Sequence, residues 1–184
     1  MVKYTNISIM KQLVLNFSPK GDIEAADPHV KPQSVMFVCL GNIIRSPLCE
    51  GLFRHLTNNQ IFVDSSAVGS HDLGKHPAVF SQEIALENGF DISNHVSKLI
   101  KAKDFDVFDI IVSLDPSVFE KLRKMKPPNS KAKVIELIPR KYVLNPYLQG
   151  KRSFYKMFSE VKEGVNSLVI NYFPEYIQKP DVQS

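Results

Sequence analysis

A single α/β domain built on a parallel sheet is the fold this sequence predicts, and three observations carry the prediction. From residue 34 onward, short apolar runs alternate with stretches of helical periodicity, which is the sequence form of βαβ units. The chain has 184 residues and is 43% hydrophobic, enough for one core and too short for two. Turn and cap residues sit at the changeovers between runs, so the alternation has boundaries as well as a pattern.

Taken in order, residues 1–33 read as an N-terminal extension, because Ser18-Pro19-Lys20-Gly21-Asp22, Asp27-Pro28 and Lys31-Pro32 are turn and linker chemistry. Residues 34–184 read as the folded domain. Strands are expected at 35–39, 61–65, 108–113 and 133–137, each a strand-length apolar run. Helices are expected at 47–58, 77–88, 116–125 and 153–173. Ser46 followed by Pro47, and Asp115 followed by Pro116, each read as an N-cap with proline at the first helical position. Asn88-Gly89 reads as a helix stop, with glycine free to take the left-handed conformation. In the last helix Phe154, Phe158, Val161, Val165, Leu168 and Tyr172 recur at helical spacing, as a core-packing face does.

Charge and composition narrow the function classes. The formal charge of +4 suits acidic or phosphorylated partners, but Lys and Arg are interspersed with Asp and Glu, which argues against nucleic-acid binding. The two cysteines, Cys39 and Cys49, form no disulfide framework and no metal spacing, so a reducing cytoplasmic setting and no metal are expected. No apolar run approaches the roughly 20 residues of a membrane span. Residues 7–17, interrupted by Lys11 and Gln12, make a poor secretory signal.

The most informative stretch is Cys39-Leu40-Gly41-Asn42-Ile43-Ile44-Arg45-Ser46, directly behind the apolar run Val35-Met36-Phe37-Val38. A thiol at a strand end, five loop residues, an arginine and a helix start together form a cradle for a phosphate and a nucleophile to attack it. Loop N–H groups, the positive end of the following helix and the Arg45 guanidinium favour both a thiolate and a bound phosphate dianion. Arg45 supplies a planar fork for two phosphoryl oxygens, which lysine cannot match. Gly41 permits close approach, and Asn42 tolerates a left-handed backbone. Leu40, Ile43 and Ile44 complete the phosphate-binding loop. The Ser46 hydroxyl is either a plain N-cap, or a donor to the Cys39 sulfur, or both.

The run VMFVCLGNIIRSPLCEGLF resembles the low-molecular-weight protein tyrosine phosphatase family over its whole length. Further matches follow in order: Asp64-Ser65-Ser66-Ala67, Gly74-Lys75, Gly89-Phe90-Asp91-Ile92-Ser93 with His95, Asp104-Phe105, and the run from Phe108 to Asp115. The resemblance extends from about Ser34 to Phe173. It implies a four-stranded parallel sheet with helices on both faces, a phosphotyrosine phosphatase I-like domain of flavodoxin-like topology. It also implies hydrolysis of phosphate monoesters, phosphotyrosine above all, through a cysteinyl-phosphate intermediate without cofactor or metal. Expected partners are a phosphotyrosine-containing protein or small phosphate monoester and inorganic phosphate, with no nucleic acid, no membrane and a monomeric chain. Thiol-type arsenate reductases share the fold but relay electrons through additional cysteines, and only Cys49 remains here.

Three positions depart from the family pattern. Where the family carries an Asp-Pro-Tyr segment whose aspartate is the general acid, this chain has Asn145-Pro146-Tyr147. An amide gives up no proton at physiological pH, so a contribution of about 10²- to 10⁴-fold is expected to be lost or supplied elsewhere. Asp115 and Glu50 are the candidate substitutes. Ile44 replaces a family cysteine that traps oxidised nucleophile, leaving Cys49 as a core residue or a substitute resolving thiol. His71, with Asp72 beside it, stands where the family has an aromatic wall residue, and it is a solvated loop residue or a substrate contact. Tyr147 is the other expected wall, and His95 matches a position that braces the loop. Two functions follow: a phosphatase with weakened acid catalysis, or a phosphate-binding module that kept the cradle and lost turnover.

Overall fold

The computed structural model describes residues 31–176. The expected extension falls mainly on residues 1–30, outside the described residues.

Four strands form one sheet: β1 (Ser34–Cys39), β2 (Phe62–Ala67), β3 (Ile110–Ser113) and β4 (Lys133–Glu136). All neighbours run parallel, in the order β2-β1-β3-β4. β1 is buried along its whole length, as its unbroken apolar run requires of a central parallel strand. The helices are α1 (Arg45–Leu56), α2 (Val79–Glu87), α3 (Asp104–Val107), α4 (Pro116–Met125) and α5 (Lys151–Tyr172), followed by a 3₁₀ turn at Pro174–Tyr176. Side-chain alternation along the strands divides the core into two layers. Val35, Phe37, Ile110 and Val112 face α1, α2 and α5, while Met36, Val38 and Ile111 face α3 and α4. Phe37 meets Phe53 edge-on at 5.8 Å, and Phe53 meets Phe173 at 5.2 Å, joining α1 to the end of α5. The α/β fold with helices on both faces is the expected one.

The differences in detail have local causes. β2 runs two residues beyond its expected end, Ser66 and Ala67 pairing with Val38 and Cys39 while the Ser66 hydroxyl is buried against the Met36 sulfur at 3.2 Å; Ser65, inside the expected span, donates to Glu50 at 2.7 Å. β3 begins at Ile110 and not at Phe108, because Phe108 closes α3 and Asp109 accepts from the Gln33 amide and the Ser34 hydroxyl. The four-residue α3 is too short to have shown a periodicity in sequence. Asp115 caps α4 as expected, accepting from the Val118 amide at 2.9 Å. Ser46 does not cap α1: the helix begins at Arg45, its cap residue is Ile44, and no side chain caps it.

Among the described residues no helix is long and apolar enough to cross a membrane. The sheet order places the turn of chain direction between β1 and β3, and in open parallel sheets ligands bind at the carboxyl ends beside such a point. Cys39 ends β1 and Asp115 follows β3 there.

Candidate active site

β1 delivers Cys39 to the sheet edge, and the chain then wraps back over it. The Asn42 amide donates to the Cys39 sulfur at 3.2 Å, and the Ser46 hydroxyl lies 3.0 Å from the same atom. Asn42 has φ of 56°, the left-handed backbone its side chain tolerates. The uncapped first turn of α1 leaves N–H groups without a side-chain acceptor, which is an anion-binding arrangement.

The loop is held from behind by a buried polar network centred on Asn42. Its amide nitrogen donates to the Ser46 and Ser65 hydroxyls at 3.0 and 2.9 Å. Its carbonyl oxygen accepts from the Lys98 amide at 3.1 Å and lies 3.0 Å from His95 Nε2. Because that oxygen is an acceptor, His95 Nε2 carries a hydrogen. On its other side His95 Nδ1 lies 3.4 Å from Glu50, which also accepts from Ser65 and pairs with Arg54 at 2.7 Å. Burial pushes the Glu50 carboxyl up, but His95, Ser65 and Arg54 outweigh it and hold it below its ordinary value. Ser97 donates to the Gly41 carbonyl at 3.0 Å and ties down the loop's outer side.

Arg45 is almost wholly buried and anchored through one nitrogen only. Nη1 donates to Asp115 Oδ2 at 2.9 Å and to the Val143 carbonyl at 3.3 Å. Nη2 and Nε have no protein partner among the described residues, so one edge of the fork remains available to a ligand. Burial raises the Asp115 carboxyl, yet the Ser117 hydroxyl, the Val118 amide and Arg45 together bring it below its ordinary value. It is therefore ionised at neutral pH, with both oxygens engaged.

These residues line a cleft of about 280 Å³, formed by the 39–45 loop together with His71, Asp72, Asn145 and Tyr147. His71 lies at the cleft and is exposed to solvent there. Asp72 sits over Gly41, where a Cβ would lie 2.6 Å from its Oδ2, so the close approach that glycine permits is to this side chain. Asp72 is paired with Lys75 at 2.8 Å. Neither Asp115 nor Glu50, the two candidate substitute acids, is among the residues that line the cleft. Asn145 is, in a turn where its Oδ1 accepts from the Tyr147 amide at 3.3 Å. Cys49 is fully buried, and burial, then the neighbouring Cys39, push its thiol well above its ordinary value. Among the described residues no cluster of three His, Cys, Asp or Glu side chains could hold a metal ion.

Sequence reasoning missed Ser65, Lys98 and Val143 as supports of the loop. Two of these act through backbone atoms and leave no signal in residue type; the third had one, a serine opening the buried run that ends β2.

Comparison with known proteins shows the family and the fold. The sequence model of the family described as low molecular weight phosphotyrosine protein phosphatase matches residues 34–181. A protein of that name from Saccharomyces cerevisiae is 40% identical over 111 residues, covering 56% of this chain and 68% of its own. The human protein of that name is 34% identical over 140 residues, covering 70% of this chain and 88% of its own. Among solved structures, YfkJ from Bacillus subtilis superposes with a TM-score of 0.70 at 27% identity, covering 82% of this chain and 99% of its own. The Drosophila arginine phosphatase DARP gives a TM-score of 0.70 at 29% identity, covering 78% of this chain and 98% of its own.

Proposed function

The chain belongs to the low molecular weight phosphotyrosine protein phosphatase family, and from that premise we propose a cysteine-dependent hydrolysis of aryl phosphates in which capture is intact and proton donation is weak. The phosphoryl group sits in the 39–45 loop, two of its oxygens on the free edge of Arg45 and the others on loop amides. The Cys39 thiolate attacks phosphorus, the P–O bond breaks, and the phenol oxygen takes the bond pair. Water then attacks the cysteinyl phosphate, the S–P bond breaks, and phosphate and thiolate are released. Ser46, 3.0 Å from the sulfur, stabilises the departing thiolate by hydrogen bonding. Asn42, with His95 behind it, holds the loop in its left-handed turn.

The observation that carries the proposal is Asn145 at the cleft beside Tyr147, in the turn that follows the Val143 carbonyl holding Arg45. A tyrosine phenol has a pKa of about 10, so its oxygen leaves poorly as an anion. His71 and Tyr147 form the walls that receive the substrate ring. Both cysteines are free, which supports a reducing, cytoplasmic setting.

The test is burst-phase and steady-state kinetics of wild type, Cys39→Ser and Asn145→Asp on p-nitrophenyl phosphate and a phosphotyrosine peptide. Cys39-dependent turnover is expected on both. Asn145→Asp is expected to raise kcat/KM on the peptide by about 10²-fold or more, within the usual range for a general acid. Equal rates on both substrates with no gain from Asn145→Asp would sink the weakened-acid reading. A Cys39-dependent burst without turnover would establish the binding module instead.

A further inference from the structure

We propose that the substrate class best matched to this cleft is the acyl phosphate, a mixed anhydride of phosphate and a carboxylic acid, with Asn145 as a hydrogen-bond donor to the departing carboxylate. The proposal rests on the Cys39 phosphatase reading above and concerns what Asn145 does in place of a proton donor.

The orientation of the Asn145 side chain is fixed by its own turn. A backbone N–H can only donate, so the atom 3.3 Å from the Tyr147 amide is the carbonyl oxygen Oδ1. Nδ2 is then the free end, with no protein partner among the described residues, on an exposed side chain lining the cleft. What Asn145 offers a leaving group is therefore an N–H that donates a hydrogen bond and cannot transfer a proton.

That offer sorts leaving groups by chemistry. A phenol oxygen, with its high proton affinity, needs the proton itself. A carboxylate, whose conjugate acid has a pKa of about 4, departs as an anion and needs only a donor to accept from. A protonated nitrogen leaving group has no lone pair to accept with, so the amide gives it nothing. Asp72, the carboxylate that lines the same cleft, is paired with Lys75 at 2.8 Å, which offsets the repulsion it would exert on a departing carboxylate. The step balances without a co-reactant: the Cys39 S–P bond forms, the anhydride P–O bond breaks, and its electron pair leaves on the carboxylate. Water then replaces sulfur on phosphorus, and both of its protons leave with the dihydrogen phosphate.

The experiment compares benzoyl phosphate, phenyl phosphate and phosphoarginine on wild type, Asn145→Asp and Asn145→Ala, subtracting Cys39→Ser as background. kcat/KM is the readout because it reports steps through cleavage of the P–O bond and excludes breakdown of the phosphoenzyme. In wild type, benzoyl phosphate is expected to exceed phenyl phosphate by about 100-fold or more, and to exceed phosphoarginine. Asn145→Asp is expected to raise phenyl phosphate strongly while benzoyl phosphate rises less than about threefold. Asn145→Ala is expected to lower benzoyl phosphate about tenfold, the size of one hydrogen bond to a charged group. A benzoyl phosphate rate unchanged in Asn145→Ala, an equal gain on both oxygen esters in Asn145→Asp, or phosphoarginine as the fastest substrate would overturn the proposal. Failure of Cys39-dependent release from every substrate would overturn the phosphatase reading beneath it, and the two failures are distinct.

Discussion

Replacing Asn42 tests whether the loop is set by its buried network or by its backbone alone. Asn42→Ala removes an amide that donates to Ser46 and Ser65 and accepts from Lys98 and His95, at 2.9 to 3.1 Å. The two serine hydroxyls keep other partners, Cys39 and Glu50. The Lys98 amide and His95 Nε2 do not; both are part-buried, so each left unsatisfied costs about 1–1.5 kcal/mol, the lower part of the range for a buried donor. Alanine must also hold φ of 56°, a strain of about 1–2 kcal/mol that glycine escapes at an entropic cost of about 0.5–1 kcal/mol. Asn42→Ala is therefore expected to lose about 4 kcal/mol of stability, and Asn42→Gly about 1 kcal/mol less. Urea unfolding measures both, and vanadate binding measures the loop. Both variants should lose more than tenfold in vanadate affinity, since restoring the backbone with glycine does not restore the supports. If Asn42→Gly binds vanadate as wild type does, the network is dispensable and the loop is set by φ alone. If both variants unfold within about 1 kcal/mol of wild type, the hydrogen bonds are worth less than argued.

Three further outcomes follow from other parts of the molecule. Glu50 and Asp115 are held below their ordinary values in the fold, so their stabilising contribution is complete above the unfolded carboxylate pKa of about 4 and is lost as pH falls through the lower folded values. Urea midpoints measured from pH 6 to pH 3 should fall, and Glu50→Gln should flatten that fall; an unchanged slope would remove Glu50 from the account. At Gly164 on α5 an added Cβ would lie 2.5 Å from Leu137 Cγ, so Gly164→Ala is expected to destabilise by about 1–3 kcal/mol by overpacking, with activity per folded molecule unchanged; a gain in stability would show that the helix can shift. Cys49 is buried with its thiol pushed up, so native protein should react with a thiol reagent at Cys39 alone, and peroxide treatment should give no Cys39–Cys49 disulfide by mass spectrometry.

The sheet was legible because its strands are apolar runs of strand length with loops that start helices, and a central strand such as Ser34–Cys39 has few other ways to hide six consecutive side chains. The loop was legible because its chemistry lies in contiguous residue types. What could not be read depends on contacts distant in sequence. Ser46 looks like a cap next to Pro47, and only the position of the sulfur shows where its hydroxyl goes. Asp115 read equally as an acid or a cap. Its pairing with Arg45, seventy positions away, depends on β1 and β3 being neighbours, which no local pattern states.

On the proposed reading, in which Asn145 leaves the cleft without a general acid, that pairing makes Asp115 a poor substitute. A general acid must carry its proton near neutral pH, which calls for a carboxyl raised by burial or by like charge. Asp115 has the burial, but it also faces Arg45, the Val118 amide and the Ser117 hydroxyl, all of which favour the charged form. Separating it from Arg45 to raise it would take away one of the two anchors of the guanidinium, the other being the Val143 carbonyl. The same carboxylate therefore cannot serve capture as an ion and leaving-group departure as an acid. Capture is built on groups that hold charge, and the proton must come from a side chain outside that field. On the proposed reading the place outside it is Asn145, which lines the cleft with no hydrogen bond to Arg45 among the described residues, and there the chain carries an amide.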